Sequence, residues 1–314
     1  MHLEVNSYFR SMKKILVTGS NGLLGQKLTD ALIGNEKFEL IATSKGENRH
    51  PVKEGYQYAA MDIANFESIK EVVEAYQPDV IINTAAMTNV DTCETEKEQC
   101  WLLNVTAVSY LIEVCRAKNI QLIHLSTDFI FDGADGPYAE DAAASPLSYY
   151  GESKWEAEKL LQASDIHFTI LRTIIVYGIV KDMSRSNIIL WAKGALEKGA
   201  PINVVNDQWR MPTLAEDLAD ICLLAAEKGA RGVYNASGKD MMSILELVER
   251  VADYYGLDKS LINPISSESL NQAAKRPVRT GFILDKSIKE LGYNPHSFEE
   301  GIRIMDEQLA VGRE

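Results

Sequence analysis

Cysteine is scarce: four in 314 residues, with no C-x-x-C pair and no histidine cluster nearby. That spacing argues against a disulfide frame or a zinc site and for free thiols in a reducing cytoplasm. Cys115 and Cys222 lie in apolar stretches and read as core residues. Long apolar runs are missing too, and without about 18 such residues in succession no membrane span is expected. The first eleven residues, MHLEVNSYFRS, lack a basic flank and an apolar core. They read as a leader rather than a secretory signal, with Met12 a candidate natural start. Basic charge is also short, 32 Lys and Arg against 45 Asp and Glu, for a net −13. An acidic chain is a poor general binder of nucleic acid, and an anionic ligand would need a local basic pocket. Repeats and low-complexity tracts are absent.

What remains is an ordinary globular composition, long enough for one large α/β domain or two lobes around a cleft. Short apolar runs, KILVT, FELIA, VIINTAA, IQLIHLS and FTILRT, read as buried strands. Amphipathic stretches at 23–33, 66–76, 96–118 and 150–163 read as helices between them. The alternation predicts an α/β fold: a Rossmann-type doubly wound parallel sheet. Beyond about residue 172 the rhythm loosens into a helix near 186–198, a strand at PINVV and the loop NDQWRMPT. The helix LAEDLADICLLAAEKG and strand GVYNA then return to the sheet. We expect a dinucleotide-binding domain of 13–172 plus about 213–236. A smaller substrate-binding lobe would comprise about 173–212 plus 237–314.

Gly19, Gly22 and Gly25 stand between strand ILVT and helix LLGQKLTDAL. Glycine there serves a tight turn, close approach of a pyrophosphate and helix–strand packing, with backbone N–H groups facing the phosphates. A purely structural turn is the alternative. The second strand ends in Ala42-Thr43-Ser44-Lys45, with Arg49 following and no acid at its tip. A hydroxyl and cations suit a 2′-phosphate, favouring NADPH over NADH, unless the loop is merely solvated. Asp62 can accept from an adenine amino group; as a helix cap it is a poorer candidate than Asn65.

Tyr150 and Lys154 lie one helical turn apart in YGESK. A phenol ordinarily titrates near 10, and a neighbouring ammonium stabilises phenolate, so Tyr150 is a candidate proton donor tuned by Lys154. The fifth strand ends in Ser126-Thr127-Asp128. Thr127 is the expected substrate-oxygen ligand and Ser126 the lesser substitute. Asp128 anchors Thr127, binds a substrate hydroxyl, or caps the turn FDGADG. Asn104, mid-helix without a propensity reason, would support a proton relay at the cofactor or the loop after strand four.

These residues together resemble the extended short-chain dehydrogenase/reductase superfamily, and within it the dTDP-4-dehydrorhamnose reductase family. The matching segments include VTGSNGLLGQKL, PDVIINTAAMTNVDTCE, HLSTDFIFDG, PLSYYGESKWEAE, LRTIIVYG, VNDQWRMPT and KRPVRT, in the family's order. The resemblance implies reduction at C4 of a nucleotide-linked 4-keto-6-deoxysugar by NADPH or NADH. Thr127, Tyr150 and Lys154 would be catalytic. Gly19, Asn21, Gly22, Leu23, Leu24, Asp62, Ile63, Ala85 and Ala86 would line the cofactor. Asn187 would lie over the sugar nucleotide, Gln208 and Pro212 in the second-lobe loop, and Arg276 with Arg210 would meet the diphosphate. The chain departs from the family at Phe129 (usually Tyr), Ile175 (Trp), Arg210 (Gly) and Lys27, where some members carry a magnesium-binding Glu. No metal is therefore expected, and the changes at Phe129 and Ile175 bear on which sugar is used. A homodimer is in keeping with relatives. A similar plan occurs in the regulatory β-subunit of methionine adenosyltransferase, so a non-catalytic dinucleotide-binding subunit is the competing reading.

Overall fold

A computed structural model describes residues 12–180 and 187–311. The proposed leader, and the first residue of the helix expected at 186–198, lie outside the described residues. In chain order the main sheet and its helices are β1 (Lys13–Thr18), α1 (Leu23–Leu32), β2 (Phe38–Ser44), β3 (Gln57–Ala60), α2 (Phe66–Tyr76) and β4 (Val80–Asn83). Then come α3 (Val90–Thr95), α4 (Lys97–Trp101), α5 (Ala107–Lys118), β5 (Gln121–Thr127), α6 (Tyr149–Gln162) and β6 (Phe168–Thr173). The second half holds β7 (Val176–Tyr177), α7 (Ile188–Leu196), β8 (Ile202–Val205), β9 (Trp209–Arg210), β10 (Thr213–Leu214), α8 (Ala215–Lys228) and β11 (Gly232–Asn235). It finishes with β12 (Met242–Ser243), α9 (Ile244–Tyr255), β13 (Ile262–Ile265) and α10 (Phe298–Val311).

Seven strands form one sheet in the order β11-β6-β5-β4-β1-β2-β3, every pairing parallel. The expected doubly wound sheet is therefore present. Its strands are apolar throughout because both faces are covered. Alternate residues of β1 show this: Ile15 and Val17 join one cluster with α1 and α8, while Leu16 joins another with α2 and α5. A third cluster, outside the sheet, gathers α7, α9 and α10 around the parallel pair β8–β13. The strand Ile262–Ile265 lies where no strand was expected. It forms because β8 offers it a partner in register from Ile202 to Val205.

The strand order reverses between β1 and β4, and a crevice at such a switch point is where ligands of open α/β sheets bind. Thr18, Asn83 and Thr127 end the three strands nearest that point. The helix expected at 96–118 is continuous but carries a π-helical turn, Leu102–Thr106, between α4 and α5. Among the described residues this helix, Lys97–Lys118, has the length and apolar composition to cross a membrane. Its Val108, Leu111, Ile112 and Cys115 are instead packed against the sheet.

Candidate active site

The turn after β1 needs its glycines. Gly19 has φ +65°, and an added Cβ would meet the Ala85 backbone at 3.0 Å. At Gly25 a Cβ would come within 2.4 Å of the Gly19 carbonyl oxygen and 2.5 Å of Ser20 Cα, so helix and strand could not pack as they do. Gly22 caps α1 with no side-chain bond and no acid in the first turn, and Leu23 and Leu24 open the helix half-buried. Its first N–H groups are thus left for an anion, as a dinucleotide pyrophosphate requires. The Ser20 hydroxyl beside them is buried without a partner. Asn21 donates to the Glu47 carbonyl and accepts from Arg49 N–H, both at 2.8 Å, bracing the loop after β2.

Ser44 ends β2, and Lys45 beyond it is 81% exposed at its side chain and pairs with Asp62 at 2.9 Å. That ammonium, with the Ala64 N–H, holds the Asp62 carboxyl below the usual range against the effect of burial. Asn65 caps α2 by accepting from Ser68 N–H, which leaves Asp62 free of that duty, as its sequence setting implied. Ile63 is buried behind it. Ala85 and Ala86 follow β4, and Ala85 N–H donates to the Thr18 hydroxyl at 3.2 Å.

That contact begins a buried polar chain invisible in the sequence motifs. The Thr18 hydroxyl donates to Asn83 Oδ1 at 2.6 Å, Asn83 Nδ2 lies 3.1 Å from His124 Nδ1, and His124 Nε2 lies 3.3 Å from Lys154 Nζ. Burial, with Lys154 adding to it, pushes the imidazole well below its ordinary pKa, so His124 is neutral. The only hint was polar residues in otherwise apolar strands, at the end of VIIN and inside LIHLS. Lys154 Nζ also donates to the Leu125 carbonyl at 2.6 Å. Burial pushes its ammonium down to about 8, opposed by Glu158 one turn on. Glu158 is itself fully buried and accepts from the Arg172 guanidinium at 2.7 to 3.2 Å.

Tyr150 is buried against Phe129, ring centroids 5.7 Å apart and edge-on, and clusters with Cys93 and Cys100. The expected lowering of its pKa by Lys154 is not what the structure gives. Desolvation dominates and the phenol is pushed up, offset in part by the nearby Thr127 hydroxyl. Lys154 faces His124 and the Leu125 carbonyl instead. Asn104 sits in the π-helical turn and bonds both the N–H and the carbonyl of Met87, at 2.8 and 3.0 Å. Of its two expected roles this is support of the loop after β4. Its Nδ2 also reaches Ser153 Oγ at 3.0 Å, beneath Tyr150.

Asp128 takes the anchoring option: the Thr127 hydroxyl donates to its Oδ1 at 3.1 Å. The turn FDGADG is capped by Asp132, which accepts from Ala134 N–H at 3.0 Å. The second-lobe residues differ most from expectation. Arg210 was expected at a diphosphate but is buried, 3.6 Å from Asp128, with its guanidinium donating to three backbone carbonyls. Arg276 pairs with Asp91 at 2.7 Å, so that cation too has an anion already. Asn187 caps α7, accepting from Ile189 and Leu190 N–H, and donates to the Gly178 carbonyl at 2.8 Å. Gln208 is buried, and its carbonyl takes Ile244 N–H at 2.9 Å. Ile175 has φ +32°, a left-handed conformation that strains a β-branched residue. Among the described residues no group of acids, histidines or cysteines is placed to hold a metal. Lys27 lies buried in a 3.0 Å pair with Glu216.

The family model described as RmlD substrate binding domain matches residues 12–311. The chain is 30% identical to a dTDP-4-dehydrorhamnose reductase of Aggregatibacter actinomycetemcomitans, across 93% of this chain and 98% of that one. It is 28% identical to methionine adenosyltransferase 2 subunit beta of Xenopus laevis, across 93% and 86%. Among solved structures it is similar to a dTDP-4-dehydrorhamnose reductase from Clostridium acetobutylicum, 26% identical, with a TM-score of 0.83 over 95% of this chain and 99% of that one.

Proposed function

We propose, since the chain belongs to the RmlD substrate binding domain family, that it reduces the C4 keto group of a nucleotide-linked 4-keto-6-deoxysugar. dTDP-4-dehydro-L-rhamnose is the first candidate substrate, on the strength of the Aggregatibacter relative's name. The carrying observation is the buried phenol of Tyr150 beside Thr127 at the end of β5, with Lys154 one turn further along α6.

The residues of the crevice fit a nicotinamide dinucleotide. The uncapped start of α1 and Gly19, Gly22 and Gly25 would hold the pyrophosphate; Asp62 with Ile63, Ala85 and Ala86 would line the rest. When bound, a reduced nicotinamide supplies the hydride. The chain's own part is the proton. A phenol pushed up by burial stays protonated at neutral pH, so Tyr150 has a proton to give to the oxygen that becomes a hydroxyl. The Thr127 hydroxyl would help hold that oxygen, and Lys154 would meet the cofactor ribose. Phe129, Ile175, Asn187 and Gln208 would shape the sugar site. Ser44 and the exposed Lys45 favour a 2′-phosphate and hence NADPH. We place the enzyme in the cytoplasm and expect a homodimer.

The test is a panel of dTDP- and other nucleotide-linked 4-keto sugars, with NADPH and NADH consumption followed in parallel. Tyr150→Phe should cut turnover by roughly 10²-fold or more; unchanged turnover in that variant refutes the assignment. The Xenopus relative favours one other reading, a regulatory subunit that binds dinucleotide without turnover. Co-purification of a partner enzyme together with inactivity on the whole panel would support it.

A further inference from the structure

Ser153 is fully buried on α6 between Tyr150 and Lys154, and it gives its one hydrogen to the Tyr150 backbone carbonyl at 2.8 Å. Its oxygen accepts Asn104 Nδ2–H at 3.0 Å and the Cys100 thiol at 3.4 Å. One donor and two lone pairs are thus all in use. Asn104 is equally complete: Oδ1 takes the Met87 N–H at 2.8 Å, and Nδ2 also donates to the Met87 carbonyl at 3.0 Å. Serine is a weaker helix former than alanine, which would sit at 153 without asking for a partner. What the serine supplies is a directional tie. It runs from the carbonyl of Tyr150 to the loop after β4, where Ala85 and Ala86 precede Met87. Asn104 reaches both ends from the centre of the π-helical turn Leu102–Thr106, a distortion frequent at functional sites.

The residue after Tyr150 meets a second constraint. An added Cβ at Gly151 would stand 2.2 Å from the Phe129 carbonyl oxygen and 3.1 Å from Pro146 Cβ. Gly151 lies within α6, where alanine is otherwise preferred, so the position asks for space and not for backbone freedom. Phe129 N–H in turn donates to the Thr127 hydroxyl at 3.2 Å, and the Phe129 ring meets the Tyr150 ring edge-on. One short run of contacts therefore fixes the start of α6 against the turn that carries Thr127, and another fixes it against the loop after β4.

Resting on the reductase reading, we propose that Ser153 and Gly151 are positioning residues for Tyr150. Ser153, through Asn104, ties the first turn of α6 to the loop that lines the cofactor. Gly151 lets the same turn press on the backbone of Phe129. The proton donor is thereby held at one distance from both halves of the reacting site.

The unsubstituted full chain is first run on the sugar panel with NADPH. Ser153→Ala should then cut kcat by about tenfold or more and leave NADPH affinity unchanged. Its solvent deuterium isotope effect should rise, because proton transfer from a displaced phenol becomes the slower step. In an Asn104→Ala background the fall caused by Ser153→Ala should shrink to about threefold or less, since the tie is already cut. Gly151→Ala removes no side-chain hydrogen bond and adds helix propensity, yet should lower kcat in the same way. Turnover of Ser153→Ala equal to that of the parent overturns the proposal, as does a fall undiminished without Asn104. So does a loss of NADPH binding in step with kcat under an unchanged isotope effect. 3,5-Difluorotyrosine at position 150 supplies a readout free of turnover. Its fluorine resonance should move in both the Ser153 and the Gly151 variant, and should stay in Glu152→Ala, exposed on the same turn. Inactivity of the unsubstituted protein on the whole panel sinks the reductase reading. The fluorine signal then decides the seating of Tyr150 alone: movement in both variants supports it and an unmoved resonance overturns it.

Discussion

Only 3% of Lys154 is exposed, and burial draws its ammonium from the ordinary 10.5 to about 8. That drop corresponds to about 3 kcal/mol that the folded protein loses by keeping the amine charged at pH 7. The sign follows from proton counts. Between about pH 8 and 10.5 the unfolded chain holds this proton and the folded one does not, so stability rises with pH across that window. The penalty is fully present below pH 8 and gone above 10.5. Lys154→Met keeps the apolar stem and removes the charge, at the loss of the 2.6 Å bond to the Leu125 carbonyl, worth about 2 kcal/mol for a charged donor. A net gain of about 1 kcal/mol at pH 7 is expected, or roughly 2 °C in Tm, while turnover collapses. Urea and thermal unfolding at pH 7 and pH 10 check it. The advantage should fade at the higher pH. A variant less stable at pH 7, or one with the same advantage at both values, would refute the reasoning.

Arg172→Met leaves Glu158 buried without its guanidinium and should cost about 3–5 kcal/mol in urea unfolding. Adding Glu158→Met should restore most of the loss; if it does not, the pair is not what holds α6 on β6. Lys45→Glu puts a second carboxylate beside Asp62 in place of a 2.9 Å ion pair. It should lower the ratio of NADPH to NADH affinity by roughly tenfold, about 1.4 kcal/mol, measured by titrating each nucleotide into the protein. An unchanged ratio would show that this loop does not face the 2′-position.

The sheet was legible because parallel strands covered on both faces must be apolar throughout, and KILVT, VIINTAA and IQLIHLS have no other good use in a chain this long. The glycine turn was legible for a similar reason: at Gly25 any side chain would overlap Gly19 and Ser20. The pair Tyr150 and Lys154 was found by helical spacing, but spacing does not report which way an ammonium points. The polar chain through Asn83 and His124 escaped because its members come from β1, β4, β5 and α6, and no local pattern links residues 65 and 41 positions apart. The π-helical turn at Asn104 escaped because nothing in LLNVTAV departs from an ordinary helix.

The two arginines are the more instructive miss. In a protein of net charge −13, cations in second-lobe loops looked like the natural seat of a nucleotide diphosphate. An excess of acids has the opposite consequence locally: each buried or half-buried carboxylate competes for the few cations within reach. Asp91 takes Arg276 and Asp128 takes Arg210 before any ligand enters. Charge needed by a diphosphate would then have to come from exposed cations at the mouth of the crevice, or from backbone N–H groups such as those opening α1. The interior guanidinium serves a different end: it lies 3.6 Å from the buried carboxylate of Asp128 and, through the carbonyls of Trp209, Pro277 and Val278, holds the second-lobe segments 209–210 and 277–278 together at the end of β5.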